Sequence, residues 1–160
     1  MKKLTLEQIW KKLLLLAKKN VLSGNGGPFS AIIIRDGRII ATGTNSVTSI
    51  NDPTAHAEVL AIRRACAVLR KFQLDDCIIY SSCEPCPMCL GACYWARVKA
   101  IHYCATKEEA SSVGFNDSFI YKELFKQPVF RKITQRFYVD VPNRVEPLLT
   151  WKKYTKKVKY

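Results

Sequence analysis

An α/β fold, with helices packed on the faces of a mixed sheet, follows from three features of this 160-residue sequence. The chain opens on an amphipathic helical pattern, passes through a hairpin turn between two apolar runs, and then alternates helical with extended segments. A hairpin makes its two strands antiparallel, whereas a strand reached through a helix is free to lie parallel, so the sheet is expected to be mixed.

The elements follow in order. From Thr5 to about Val21, Ile9, Leu13 and Leu16 share one face, and Lys11/Lys18 and Lys12/Lys19 repeat at seven residues on the other. The run Ser23-Gly24-Asn25-Gly26-Gly27-Pro28 ends that helix and leads into an apolar β-branched strand, Phe29 to Ile34. Asp36-Gly37 is the dipeptide of a tight hairpin, with Ile39-Ile40-Ala41 returning antiparallel. Asn51-Asp52-Pro53 reads as a helix start, Asp52 capping and Pro53 at the first helical position, with the helix running to about Leu69. Cys77 to Ser81 is a short buried strand, a second helix opens near Cys86, and Lys99 to Ala105 is the next strand. Phe137 to Val141 is expected as a further strand, and a final helix follows Pro147. With neither repeats nor low-complexity segments, residues 1–160 are expected to form one domain.

Seven cysteines, several in apolar runs (Cys66, Cys77, Cys104), suggest reduced thiols rather than a disulfide framework. Met1-Lys2-Lys3 resembles the start of a signal peptide, but the apolar run after it spans only Leu13 to Ala17, with Glu7, Lys11 and Lys12 before it. A cytoplasmic protein without membrane spans is expected. The net charge of +13 admits nucleic-acid binding. The lysines are accounted for as solvated helix faces: those of the first helix, and Lys152, Lys153, Lys156, Lys157 and Lys159, which leave Trp151, Tyr154 and Val158 on one face. Nucleic acid is therefore not the expected partner.

The chemistry is concentrated in His56-Ala57-Glu58 and, about 30 residues later, Pro85-Cys86-Pro87-Met88-Cys89. This is the H-x-E…P-C-x-x-C pattern of zinc-dependent nucleobase deaminases. One imidazole and two thiolates leave the fourth tetrahedral position of a zinc ion open for water, whose pKa the metal lowers toward about 7. Glu58, two residues from His56, reaches that water without being a ligand and is placed to move its proton. Cys86 and Cys89 fall at i and i+3 on one helical face. The two helix N-termini meeting there lower thiol pKa and favour a developing anion. A closed structural site of His56 with Cys83, Cys86 and Cys89 is the rival arrangement, and it leaves Glu58 without a role.

Four passages make the chain resemble the cytidine deaminase superfamily: Gly26-Gly27-Pro28-Phe29, Asn51 to Glu58, Ser82 to Cys89, and Tyr94-Trp95-Ala96-Arg97. Within it, Gly114-Phe115-Asn116-Asp117-Ser118-Phe119 resembles the pattern of the small bacterial guanine deaminases. Ser30, where the family usually has glycine, and Asn116, often aspartate there, depart from it. The resemblance implies the three-layer α/β/α cytidine-deaminase-like fold with a mixed central sheet, one Zn2+ per chain on His56, Cys86 and Cys89, and a purine substrate deaminated hydrolytically, guanine to xanthine. It implies Glu58 and Asp117 as catalytic residues, Asp117 also contacting the guanine amino group. It further implies Asn45 on the purine edge, Phe29 and Trp95 against the base, a backbone amide near Ala57, and Tyr160 closing the pocket. Residues 143–160 would then be a lid exchanged between the subunits of a homodimer. Blander roles stand beside these: turn capping for Asn45, a turn for Asp117, plain core for Phe29 and Trp95. A tRNA adenosine deaminase, another aminopurine or nucleoside deaminase, and a non-catalytic zinc module that binds RNA are the alternative functions.

Overall fold

The computed structural model describes residues 3–127, 130, 131, 139–156 and 158. The chain divides into two compact units, Met1–Asp117 and Ser118–Tyr160, the second of which includes the expected lid segment.

The first unit holds the sheet. Helix α1 (Leu6–Leu22) is followed by strands β1 (Ser30–Arg35) and β2 (Arg38–Thr44), helix α2 (Ala57–Leu69), β3 (Ile78–Cys83), α3 (Pro87–Trp95), β4 (Ala100–Ala105) and the short α4 (Lys107–Ser112). The strand order is β2-β1-β3-β4. β1 pairs antiparallel with β2 and with β3, and β3 pairs parallel with β4, so the sheet is mixed as expected. Asp36 (φ 51) and Gly37 (φ 75) both take positive φ, the conformation a two-residue hairpin turn requires.

Strand alternation sorts the core into two layers. Ile32, Ile34 and Tyr80 pack with Ile9 and Leu13 of α1 on one face of the sheet. Ala31, Ile33 and Ile79 pack with Ala57, Ala61, Ala65 of α2 and Cys93 of α3 on the other. Helices thus cover both faces, the three-layer arrangement. Ser30 lies on the α1 face, where its buried hydroxyl donates to the Leu13 carbonyl at 2.7 Å. Thr5 caps α1 through a reciprocal pair with Gln8, a T-x-x-Q box visible in the sequence.

α2 departs from expectation: it begins at Ala57, not at Pro53. The Asp52 carboxylate accepts from the Thr54 amide (2.8 Å) and hydroxyl (2.6 Å), closing a local turn instead of capping a helix. His56 keeps an extended backbone (φ −71, ψ 153) and becomes the N-cap residue.

The second unit contains α5 (Ser118–Phe125) and α6 (Glu146–Lys153), and Trp151 stacks on Tyr154 with ring centroids 6.1 Å apart. α4 and α5 were not anticipated, although Thr106 and Glu109 form a capping box at the start of α4. Of the expected strand Phe137–Val141, Phe137 and Tyr138 lie outside the described residues, and Val139 to Val141 form no strand. α6 stops at Lys153, so Val158 does not extend its apolar face.

Candidate active site

A row of small residues sets the depth of the site. In register across the sheet, Gly43 of β2 lies opposite Ala31 of β1, and Ala31 opposite Ser81 of β3. This lets the first turn of α2 approach closely: a Cβ on Gly43 would stand 2.1 Å from the Ala57 carbonyl oxygen and 2.7 Å from the Ala61 nitrogen. Glu58, on that first turn, is therefore buried against the sheet, where the Ser81 hydroxyl donates to its Oε1 at 2.8 Å. Burial pushes the Glu58 carboxyl above the ordinary range, opposed first by hydrogen bonds from its own amide and from Ser81.

The N-termini of α2 and α3 bring their N-cap residues, His56 and Cys86, to one place, and Cys89 follows one turn into α3. The His56 side chain makes no capping bond to α2, whereas the Cys86 sulfur is bonded by Cys89 of its own helix. His56 Nδ1 lies 3.5 Å from Cys86 Sγ and 3.4 Å from Cys89 Sγ, and the three donor atoms lie within 4.8 Å of one another. Tetrahedral zinc ligands at about 2.3 Å for sulfur and about 2.05 Å for nitrogen stand about 3.5 Å apart, so the donor set fits zinc. The Cys89 thiol donates to Cys86 and, with His56, pulls the Cys86 thiol down to about 4. Cys89 is correspondingly pushed up, and the bond to Cys86 raises His56. A thiolate is thus ready for a cation before one arrives.

Cys83 does not join the cluster. Its thiol donates to the Thr106 carbonyl at 3.6 Å, and burial pushes its pKa up to about 11. That geometry favours the open set over the closed four-ligand one.

Asp117 is close enough for the Cys86 charge to act on it: its pKa is raised, first by burial and then by that thiolate. Asn45, directly after β2, is buried and tied to the glycine loop. Its Oδ1 accepts from the Gly27 amide at 3.2 Å, and its backbone N–H donates to the Phe29 carbonyl at 3.0 Å. A Cβ on Gly26 would meet the Asn45 carbonyl oxygen at 2.2 Å, which explains that glycine. Phe29 meets Phe115 edge-on, with centroids 4.8 Å apart. Ala57 is the first residue of α2 and fully buried. Trp95 is not brought to the cluster within this chain: it ends α3, about 13 Å along the axis from Cys86, and is 69% exposed. Tyr160 lies outside the described residues.

Three participants escaped sequence reasoning. Ser81 carries no motif signal. Asn20, buried at the end of α1, donates through Nδ2 to the carbonyls of Gly27 (2.9 Å) and Asn45 (2.8 Å). It was legible only as a polar residue on the buried stripe of the helix. Phe115 stands in the Gly114–Phe119 run, and nothing in that run marks it as the partner of Phe29.

A mixed sheet with helices on both faces, and a His-Cys-Cys donor set at two helix N-termini beside a buried glutamate, define a zinc-binding domain of the nucleobase deaminase class. The chain belongs to the family described as the cytidine and deoxycytidylate deaminase zinc-binding region, which it matches over residues 4–105. It is 52% identical over 154 residues to the guanine deaminase of Bacillus subtilis, covering 96% of this chain and 98% of that one. The X-ray structure of the Bacillus subtilis guanine deaminase superposes with a TM-score of 0.94 at 51% identity, covering 98% of this chain and 99% of that one. A guanine deaminase structure from Nitrosomonas europaea gives a TM-score of 0.69 at 32% identity over 72% and 68% of the two chains. A tRNA-specific adenosine deaminase of Agrobacterium fabrum is 38% identical over 63% of each chain. The resemblance read from the motifs therefore holds, at the level of the family and of its bacterial guanine deaminase branch.

Proposed function

We propose that this protein catalyses the hydrolytic deamination of guanine to xanthine and ammonia, with one Zn2+ per chain held by His56, Cys86 and Cys89. The near-full-length similarity to the Bacillus subtilis guanine deaminase carries the choice of substrate. Zinc bound at this site supplies Lewis-acid activation of water at neutral pH. Glu58 takes the water proton and passes it to the ring nitrogen beside C2 as oxygen adds to that carbon. Glu58 next takes the remaining proton of the hydroxyl now on C2 and, with Asp117, gives it to the amine as the bond from C2 to that nitrogen breaks and the carbonyl forms, so water and guanine balance xanthine and ammonia. Its raised pKa suits it to hold that proton between the two transfers. Asn45 and Phe29 position the ring, and the Ala57 amide, at the start of α2, offers a donor to it.

The test is to incubate the purified zinc protein with guanine, guanosine, adenine, cytosine and an adenosine-containing tRNA anticodon stem, and to measure ammonia. Release from guanine supports the proposal; release from the tRNA stem alone replaces it. The net charge of +13 favours that second reading, a tRNA adenosine deaminase.

Residues 1–160 are read as one deaminase domain, with 143–160 a lid ending in Tyr160. The lid is exchanged between subunits of a homodimer in the cytoplasm. Among the described residues the outer edge of β4 has no partner strand, and Leu148, Trp151 and Tyr154 are exposed, which supports a second copy as their cover. Among those residues no helix is long and apolar enough to cross a membrane. Mixing a chain truncated before Trp151 with a full-length Glu58→Gln chain tests the exchange. Recovered guanine turnover supports it, and an inactive mixture despite demonstrated subunit exchange refutes it.

A further inference from the structure

Position 81 calls for a small side chain and does not call for a polar one. It closes the row Gly43–Ala31–Ser81 beneath the first turn of α2, and the packed residues of that face of the sheet are Ala31, Ile33, Ala41 and Ile79. Alanine would fill the space. Serine instead sets a hydroxyl 2.8 Å from Glu58 Oε1, with Ser81 1% and Glu58 6% exposed, so bulk water is no substitute for that donor. The other contacts of the carboxylate are its own amide and the Cys89 thiol, which belongs to the metal-binding cluster. One oxygen is therefore held by the sheet while the group remains within reach of the cluster.

A hydroxyl has a property that a backbone amide or a lysine lacks: it donates and accepts. Facing the ionised carboxylate, Ser81 donates to Oε1. When Glu58 carries the proton on its other oxygen, that bond persists; when the proton sits on Oε1, the hydroxyl rotates and accepts it. The same residue can thus hold the side chain in both charge states of a proton shuttle, without rotation of the carboxylate between them.

Building on the deaminase reading above, we propose that Ser81 is a positioning residue for Glu58, fixing one carboxylate oxygen so that the other is aimed at the reacting water and ring throughout the two proton transfers. The role lies in the chemical step rather than in binding the base or the metal.

The experiment compares wild type with Ser81→Ala, Ser81→Thr, Glu58→Ala and the Ser81→Ala/Glu58→Ala double variant, all zinc-loaded. It reads zinc content, kcat and KM separately, and urea unfolding. Outer hydrogen bonds at metal sites typically contribute about 10–100-fold. Ser81→Ala should keep its zinc and a KM within about twofold while kcat falls by about that factor. Ser81→Thr, which retains the hydroxyl, should recover most of it. In urea Ser81→Ala and Glu58→Ala should be non-additive, because each removes the same bond. An unchanged kcat in Ser81→Ala, or a loss confined to KM, overturns the proposal, as does a Ser81→Thr protein that keeps wild-type zinc content and unfolding midpoint yet recovers no kcat. Should wild type deaminate none of the bases offered, the functional reading falls. The unfolding cycle then decides alone, additive effects refuting the Ser81–Glu58 link.

Discussion

Adding one methyl group at Gly43 should disable the site from beneath the first turn of α2. The new Cβ would stand 2.1 Å from the Ala57 carbonyl oxygen, whereas ordinary contact begins at 3.4 Å, so α2 and β2 must part by about 1.3 Å. Backbone atoms receive the clash, and no rotamer change relieves it. His56 and Glu58 flank Ala57, so the displacement carries the proposed metal ligand and the proposed proton carrier away from Cys86, Cys89 and Ser81 together. A misplacement of about 1 Å can cost about 100-fold in rate, and overpacking a core about 1–3 kcal/mol. Gly43→Ala is thus expected to lose about 100-fold or more in kcat at saturating zinc and about 1–3 kcal/mol in urea unfolding. Gly91→Ala is the control: an added Cβ there meets nothing within 4 Å, and alanine is the better helix former by about 1 kcal/mol. That variant should keep its activity and match or exceed wild-type stability. A Gly43→Ala protein with wild-type kcat and unfolding midpoint would refute the close-approach argument.

Glu58→Gln should retain zinc by metal analysis yet lose turnover by several orders of magnitude, because the amide cannot carry the proton. Cys83→Ser should leave zinc content intact, since its thiol is engaged with Thr106, whereas Cys86→Ser or Cys89→Ser should lose or weaken it. An emptied site in Cys83→Ser would restore the closed arrangement. Asn20→Leu leaves the buried Asn45 carbonyl without its donor, while Gly27 keeps the Phe29 amide. It should cost about 1–3 kcal/mol in stability and raise KM with zinc retained. Zinc binding to the metal-free protein should displace about two protons at pH 6, one from His56, whose pKa is raised, and one from Cys89. Cys86, at about 4, is already a thiolate and contributes none. As pH rises through the raised His56 pKa the count should fall to about one, measurable by calorimetry in buffers of different ionisation enthalpy.

What the sequence made legible was whatever is encoded locally. Asp36-Gly37 dictates its turn through positive φ, and the α1 stripe follows from 3.6-residue periodicity. His56, Glu58, Cys86 and Cys89 stand out because metal chemistry demands those residue types at those spacings. The start of α2 was misread because Asp52 offers the same side chain to a cap and to a local turn, and only the following Thr54 decided between them. Ser81, Asn20 and Gly43 act through register and close approach, relations between distant segments that no single window displays. Phe29 and Phe115 were each visible as aromatics, while their edge-to-face pairing depends on how the chain returns after α4.

The separation of the donors along the chain has a thermodynamic consequence of its own. His56 and Cys86 are 30 residues apart, and the intervening loop contains all of α2 and β3. A metal bridging them acts on the unfolded ensemble as a covalent cross-link would. Closing a loop of that length withdraws roughly 3.6 kcal/mol of chain entropy on the disulfide scale. The cation is thus a staple as well as a reagent: its removal loosens the same helix N-termini that hold His56 and Cys86. Depletion of zinc would then cost a cell the protein as well as its chemistry, since the metal-free chain unfolds more readily.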